Sequence, residues 1–327
     1  MRLLGPNPPT PTPPDPNMRD RGKPNAVGGY PLLRLLGTGG MSRVYLGYCR
    51  KTNRSVAVKV LADHLSGDQQ FVNRFYREAV LSRSLFHPAP VRGFDHGFDP
   101  GPSSHFLAME FVDGPTARAV TERTGRLPPG VAVRVTAEVA MALEYMHARG
   151  YVHRDVKPEN VLLQPTPPAK LADLGLAKRV AGDSALTAAN QGVGTPHYMS
   201  YEQALNAALV DGRSDVYSLG ATLYHLLTGK VPYPDSESQP ASRLAAVVPA
   251  SRICPDVPLA LDLVLERMLA GDPRRRYQTA ADVIAALTAA GPACSDAEYT
   301  EYITRTRDAA PAVAEHPTRV DPPPAAA

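Results

Sequence analysis

Asp155, Lys157 and Asn160 lie in one short run, Tyr151 to Leu163, reading YVHRDVKPENVLL. Tyr151 and Val152 lead into it, and Val161, Leu162 and Leu163 lead out. Apolar ends anchor such a segment, and the ionisable residues between them are held at fixed spacing on a loop. The chemistry this suits is phosphoryl transfer. A carboxylate accepts the proton of an attacking hydroxyl, and an amide oxygen ligates a metal carried by nucleotide phosphates. A solvated surface loop is the alternative for an isolated Asp and Asn, and the full string argues against it.

Other elements must position this loop. Upstream, Leu36-Gly37-Thr38-Gly39-Gly40-Met41-Ser42-Arg43-Val44 follows a strand-like stretch from Tyr30 and precedes another through Tyr48. Glycines at 37, 39 and 40 let a backbone turn lie close over phosphates. Strand, turn, strand argues against a dinucleotide-binding fold, which needs a helix after the turn. In Ser55-Val56-Ala57-Val58-Lys59-Val60, alternation places Ala57 and Lys59 on one face. The spacing of apolar residues from Gln69 to Leu85 predicts a helix, with Glu78 available to pair with Lys59. His87-Pro88 ends that helix.

Residues 91 to 112 read as further strands, and Asp113-Gly114-Pro115 marks the break between a small sheet-rich lobe and a larger helical one. Gly130 to Arg149 carries an apolar stripe at helical spacing. Asp173 follows Lys170-Leu171-Ala172, the end of a strand-like stretch, and lies just before Gly175, where a carboxylate can project at a metal as the backbone turns away. A helix is expected from Ser214 or Asp215, one of them as its cap. Arg276 is expected to pair with Glu202.

Composition sets the frame. Length alone suggests roughly two domains or lobes for 327 residues. Lys plus Arg number 35 against 32 Asp plus Glu, a net charge of +3 that gives no electrostatic case for nucleic acid or a membrane surface. Cys49, Cys254 and Cys294 are scattered, so neither a disulfide framework nor a zinc site is implied and a reducing cytoplasm is expected. No apolar run approaches the roughly 20 residues of a bilayer span. Residues 1–28, rich in proline, and 291–327, rich in Ala and Pro, are expected to be disordered tails around a domain at 29–290, divided into lobes at about 29–112 and 113–290.

Taken together, the motifs resemble those of the eukaryotic-like serine/threonine protein kinases of bacteria, in the family's order from about Tyr30 to Ala290. The resemblance implies a bilobal α+β kinase fold binding ATP and Mg²⁺ between the lobes. Leu36 to Val44 would cover the phosphates. Lys59 would contact the α and β phosphates, with Glu78 holding it. Met109 would be the gatekeeper, Glu110 and Val112 would offer hinge backbone groups to adenine, and Val44, Ala57 and Leu162 would sandwich the ring. Asp155 would be the catalytic base, Lys157 would steady the transferred group, and Asn160 and Asp173 would hold Mg²⁺. Thr195 matches the threonine that bonds both Asp155 and Lys157 in the serine/threonine class.

Arg154 before Asp155 implies activation by a phosphate on the following loop, Thr187 being the first choice of site and Ser184 the second. Protein substrates are implied, with a kinase dimer for autophosphorylation, and Thr318-Arg319-Val320-Asp321 resembles the pattern read by forkhead-associated domains. Related kinases continue into a membrane span and sensor, so signal input here would come from partners or from a C-terminal extension. Three departures stand out: Leu174 for the usual Phe, Tyr201 for a Pro, and Ser82 at a position more often apolar. Two other readings compete, a nucleotide-binding pseudokinase or scaffold and a small-molecule phosphotransferase of related fold. The set Lys59, Asp155, Asn160 and Asp173 argues against the first, and the segment Gly194 to Glu202 against the second.

Overall fold

The computed structural model describes residues 26–175, 177–179, 196–206, 210–236 and 238–308. A six-stranded antiparallel sheet forms the small lobe, in the order β1-β2-β3-β4-β6-β5. Its strands are β1 (Ala26–Val27), β2 (Tyr30–Thr38), β3 (Ser42–Cys49), β4 (Arg54–Leu61), β5 (Gly93–Asp99) and β6 (Ser104–Glu110). The sheet curls until its ends meet. The Tyr30 hydroxyl donates to Asp95 at 3.0 Å and the Gly28 N–H donates to Asp99 at 2.7 Å. The alternation in β4 becomes two apolar layers: Val56, Val58 and Val60 pack with Tyr45 and Phe106 on one side, while Leu61 joins Val72, Phe75 and Ala79 on the other. The second group includes the apolar face of α1 (Gln69–Ser84), whose first turn is capped by Asp68.

The large lobe is helical: α2 (Ala117–Thr124), α3 (Pro129–His147), α4 (Tyr201–Leu205), α5 (Gly212–Thr228), α6 (Ala250–Ile253), α7 (Leu259–Met268), α8 (Ala280–Ala290) and α9 (Asp296–Asp308). Short strands β7 (Tyr151–Val152), β8 (Val161–Leu162), β9 (Lys170–Leu171) and β10 (Lys178–Arg179) frame its upper edge, β8 pairing with β9 and β7 with β10. Every described residue of α5 from Ser214 to Thr228 is buried, so α5 is the axle around which α3, α7 and α8 pack. This is the bilobal α+β architecture that the motifs imply.

Two expectations change. The cap of α5 is Asp211, whose carboxylate accepts the Arg213 N–H at 2.9 Å, and neither Ser214 nor Asp215. Asp215 lies inside the helix and is turned to other use. The expected tail from 291 also contains α9, which is folded: Tyr299 and Ile303 are fully buried in the main core. Arg134 stacks over Tyr299 at 5.0 Å and pairs with Asp296. The Ala and Pro around α9 hid it, yet Tyr299, Tyr302, Ile303 and Thr306 already follow the 3–4 spacing of a helix face. Residues 1–25 and 309–327, with Thr318, lie outside the described residues.

The lobes join at Asp113–Pro115, and a close approach fixes the joint. A Cβ on Gly114 would sit 1.9 Å from the carbonyl oxygen of Leu163, a backbone atom with nowhere to go. Gly114→Ala is therefore expected to cost about 1–3 kcal/mol by overpacking, read as a lower urea midpoint. An unchanged midpoint would contradict the packing described.

Candidate active site

Lys59 sits near the middle of β4, paired across to Val44 on β3 and Leu107 on β6. Its ammonium meets the Glu78 carboxylate of α1 at 2.6 and 2.8 Å and Asp173 at 3.1 Å. Burial alone would lower the proton affinity of Lys59, but the two carboxylates more than reverse this and raise it well above the ordinary lysine value. In turn, the Lys59 charge holds Asp173 well below the usual carboxylate range. Burial pushes Glu78 up, and the Lys59 contact opposes that push. A cation from the sheet lobe thus meets a carboxylate from the helical lobe.

Asp173 adopts a left-handed backbone, φ 61°, and its Oδ1 accepts the Gly175 N–H at 3.2 Å. Holding a non-glycine residue there costs on the order of 1–3 kcal/mol, and such strain concentrates at functional sites. The surroundings enforce it. The Ala172 N–H donates to the Asn160 carbonyl at 2.8 Å, Arg74 donates to the Gly175 carbonyl at 2.7 Å, and Leu174 is buried with Leu81, Leu85 and Met146. Leu174 therefore serves as the apolar plug expected of it. Ser82 is buried, its hydroxyl bonded to the Ala79 carbonyl at 3.0 Å, and a Cβ on Gly93 would touch that hydroxyl at 2.3 Å. The serine is fitted to a close strand crossing.

On the opposing wall, Asn160 donates from Nδ2 to the Asp155 carboxylate at 3.0 Å and to its carbonyl at 2.8 Å. The Lys157 ammonium stands 2.9 Å from the same carboxylate. Gly39, Gly40, Met41 and Ser42 roof the cavity, whose volume is about 290 Å³ and whose lining includes Lys59, Glu78, Asp155, Lys157 and Asp173. The turn is closed by the Gly39 N–H donating to the Ser42 carbonyl at 2.8 Å, while Gly37, Thr38 and Arg43 are exposed and Leu36 is half-buried.

The residues expected around an adenine lie deeper along the sheet. Ala57 pairs with Met109, and Val44 is half-buried opposite Lys59. Leu162 bridges to Thr116 from the large lobe. Hinge groups are partly committed: the Glu110 N–H donates to the Arg92 carbonyl, the Val112 carbonyl accepts from Gly114, and the Glu110 carboxylate pairs with Lys170 at 2.5 Å. Thr195, Thr187 and Ser184 lie outside the described residues.

Three positioning residues escaped the sequence reading. Asp215, fully buried on α5, accepts the backbone N–H groups of His153 at 2.8 Å and Arg154 at 2.7 Å and the His147 ring at 2.8 Å. It therefore holds the Tyr151–Leu163 loop from beneath, and Arg154 takes a left-handed φ of 71° above it. Gln203 on α4 donates to the Arg154 carbonyl at 2.7 Å. Buried Arg243 donates to the carbonyls of Met199 at 2.8 Å and Pro196 at 2.5 Å. Nothing local to Asp215 or Arg243 announces these contacts, which close loops of roughly sixty and forty-five residues. Arg276 pairs with Glu202 at 2.6 and 2.9 Å, as expected. Tyr201 begins α4 after the Ser200 cap; the first helical position tolerates proline without requiring it.

The His147–Asp215 contact carries a pH dependence. Burial lowers the His147 pKa, but bonding and attraction to Asp215 more than offset it, leaving it above 6.5. A raised folded value means that the stability from His147 is fully present below pH 6.5 and is lost as pH rises through the folded value. Urea unfolding should therefore show stability falling over that window, with the His147 component of the slope absent in His147→Gln. An identical slope in both would contradict it.

A two-lobed fold with an ion-paired lysine, a carboxylate at the lobe junction and an Asp–Lys–Asn loop defines the protein kinase class. Residues 30–286 match the model of the protein kinase domain, and the chain belongs to that family. It is 40% identical over 265 residues to the serine/threonine-protein kinase PknB of Mycobacterium leprae, covering 79% of this chain and 42% of that protein. Against PrkC of Bacillus subtilis the identity is 36% over 260 residues, covering 78% and 39%. The kinase domain of Mycobacterium tuberculosis PknI superposes with a TM-score of 0.63 at 33% identity, covering 81% of this chain and 96% of that one. The chain thus spans about two fifths of the length of the curated relatives it matches. Among the described residues, no helix is long and apolar enough to cross a membrane.

Proposed function

We propose that this chain is a serine/threonine protein kinase that transfers the γ-phosphoryl group of ATP to hydroxyl groups of proteins. The observation that carries the reading is the Lys59 ammonium held at once by Glu78 and Asp173 across the lobe junction, facing the Asp155–Lys157–Asn160 array. In this reading Asp155 accepts the substrate hydroxyl proton and Lys157 neutralises charge on the transferred group. The Lys59 ammonium would bind the α and β phosphates. Donors for Mg²⁺ fit its habits: one carboxylate, Asp173, and the amide oxygen of Asn160, leaving other positions to nucleotide phosphates and water. Bound there, Mg²⁺ would neutralise developing phosphate charge.

A protein acceptor is favoured by the segment Pro196–Ser200, pinned by Arg243 and tied through Gln203 to Arg154 beside the catalytic loop. We assign Thr195 to the hydroxyl that bridges Asp155 and Lys157, and Thr187, then Ser184, to activating autophosphorylation between two chains. Incubation with γ-labelled ATP and a generic acceptor protein tests the reading. Label should appear on serine and threonine but not tyrosine, and on Thr187 or Ser184 of the enzyme. Absence of transfer, or transfer only to small molecules, would overturn it.

A further inference from the structure

The first described residues, Ala26–Val27, pair with Tyr30–Pro31, and Tyr30 lines an open groove of about 1220 Å³ on the outer face behind the hinge. Two phenylalanines on this groove face water, Phe86 at 65% and Phe94 at 46% exposure. Between them lies Arg92, its guanidinium 4.4 Å from the Phe86 ring centre and 6.0 Å from that of Phe94. The Phe86 N–H is held by the Tyr145 hydroxyl at 3.0 Å, so this part of the groove is fixed in place. Lys51 and Arg54 line the same groove, and its two carboxylates are already engaged, Asp95 by the Tyr30 hydroxyl at 3.0 Å and Glu110 by Lys170 at 2.5 Å. Aromatic rings, a stacked guanidinium and nearby ammonium charge together suit a proline-rich ligand carrying an acid.

Such a ligand is tethered alongside. Residues 6–16 read PNPPTPTPPDP, with seven prolines in eleven residues and Asp15 as their one acid. Runs of proline in general favour an extended left-handed helix of about 3.1 Å per residue, which leaves little entropy to lose on docking. Residues 17–25 connect it to Ala26, a link of nine residues that reaches at most about 30 Å. We propose that segment 6–16 of the same chain docks as a polyproline helix in the groove lined by Tyr30, Phe86 and Phe94, with Asp15 toward the groove cations. Tethering supplies an effective concentration on the order of millimolar, so weak intrinsic contacts suffice. The groove also borders Pro88, just beyond α1, and Phe111 of the hinge. Occupancy would therefore brace the joint between the two lobes.

The test uses the full chain with a photo-crosslinking amino acid at position 10, irradiated at low micromolar concentration in an equal mixture of light and ¹⁵N-labelled protein. Crosslinks within single chains to residues 86–94 are expected. They should fall at least tenfold in Phe94→Ser, and equally when Pro8, Pro9, Pro11 and Pro13 are changed to serine, a variant that leaves the folded lobes untouched. Crosslinks between light and heavy chains would assign the groove to a second copy and overturn the proposal. So would crosslinks scattered elsewhere, no crosslinks, or crosslinks indifferent to the tail prolines.

Discussion

Asp155→Asn is expected to reduce phosphoryl transfer by a factor on the order of 10²–10⁴, the usual contribution of a positioned general base, while leaving nucleotide affinity nearly unchanged. The substitution is close to isosteric. Asn160 can still donate to the side-chain oxygen and carbonyl it meets at 3.0 and 2.8 Å. Lys157, 2.9 Å away, loses its counter-charge but stays near the surface of the cleft. What disappears, on the proposed role, is the ability to take a proton from the attacking hydroxyl. Turnover of a labelled acceptor should therefore collapse, while nucleotide titration and thermal midpoint stay near wild type. An active Asp155→Asn enzyme would remove the proton-acceptor role, and a loss of nucleotide binding would mean that the loop had moved.

Asp215→Ala should be the most damaging substitution outside the cavity. Three donors converge on a carboxylate with no solvent access: two loop N–H groups and the His147 ring. Removing one partner of a buried charged cluster costs about 3–5 kcal/mol, and each stranded N–H contributes about 1–3 kcal/mol of that penalty. Asp211→Ala is the control, since loss of the α5 cap should cost only ~1 kcal/mol. The urea midpoint should drop far more for Asp215→Ala than for Asp211→Ala. Where the protein remains folded, turnover should fall by about 10²-fold, because the loop would sit about an ångström from its catalytic position. Equal midpoints in the two variants would show that the loop is held by other contacts.

The division between what could be read in the sequence and what could not follows contact range. The motif residues announced themselves because phosphoryl transfer demands particular types at short, fixed intervals; the bilobal fold came with the family resemblance those motifs carry, and the break at Asp113–Pro115 placed only the boundary between the lobes. The Lys59–Glu78 pair needed only one strand and the helix after it. Asp215 was misjudged because, locally, an Asp near the start of a helix reads as a cap, and Asp211 four residues earlier already does that work. Arg243 sits in a polar stretch where an arginine is unremarkable; its partners, the Pro196 and Met199 carbonyls, are backbone atoms that leave no mark in side-chain types. The one omission with a usable signal was α9, whose aromatic and aliphatic positions kept helical spacing despite a proline-rich flank.

That last helix redraws the edge of the folded body. The family match stops at residue 286, but Tyr299 and Ile303 fill the core and Arg307 reaches Asp113 beside the hinge at 3.3 Å. A shortened version ending at 290 would uncover an oily recess on α3 and strip Arg134 of its aromatic lid, inviting self-association. Material intended for assay or crystallisation should therefore retain everything through Asp308, so that Arg307 keeps its contact with Asp113 beside the hinge.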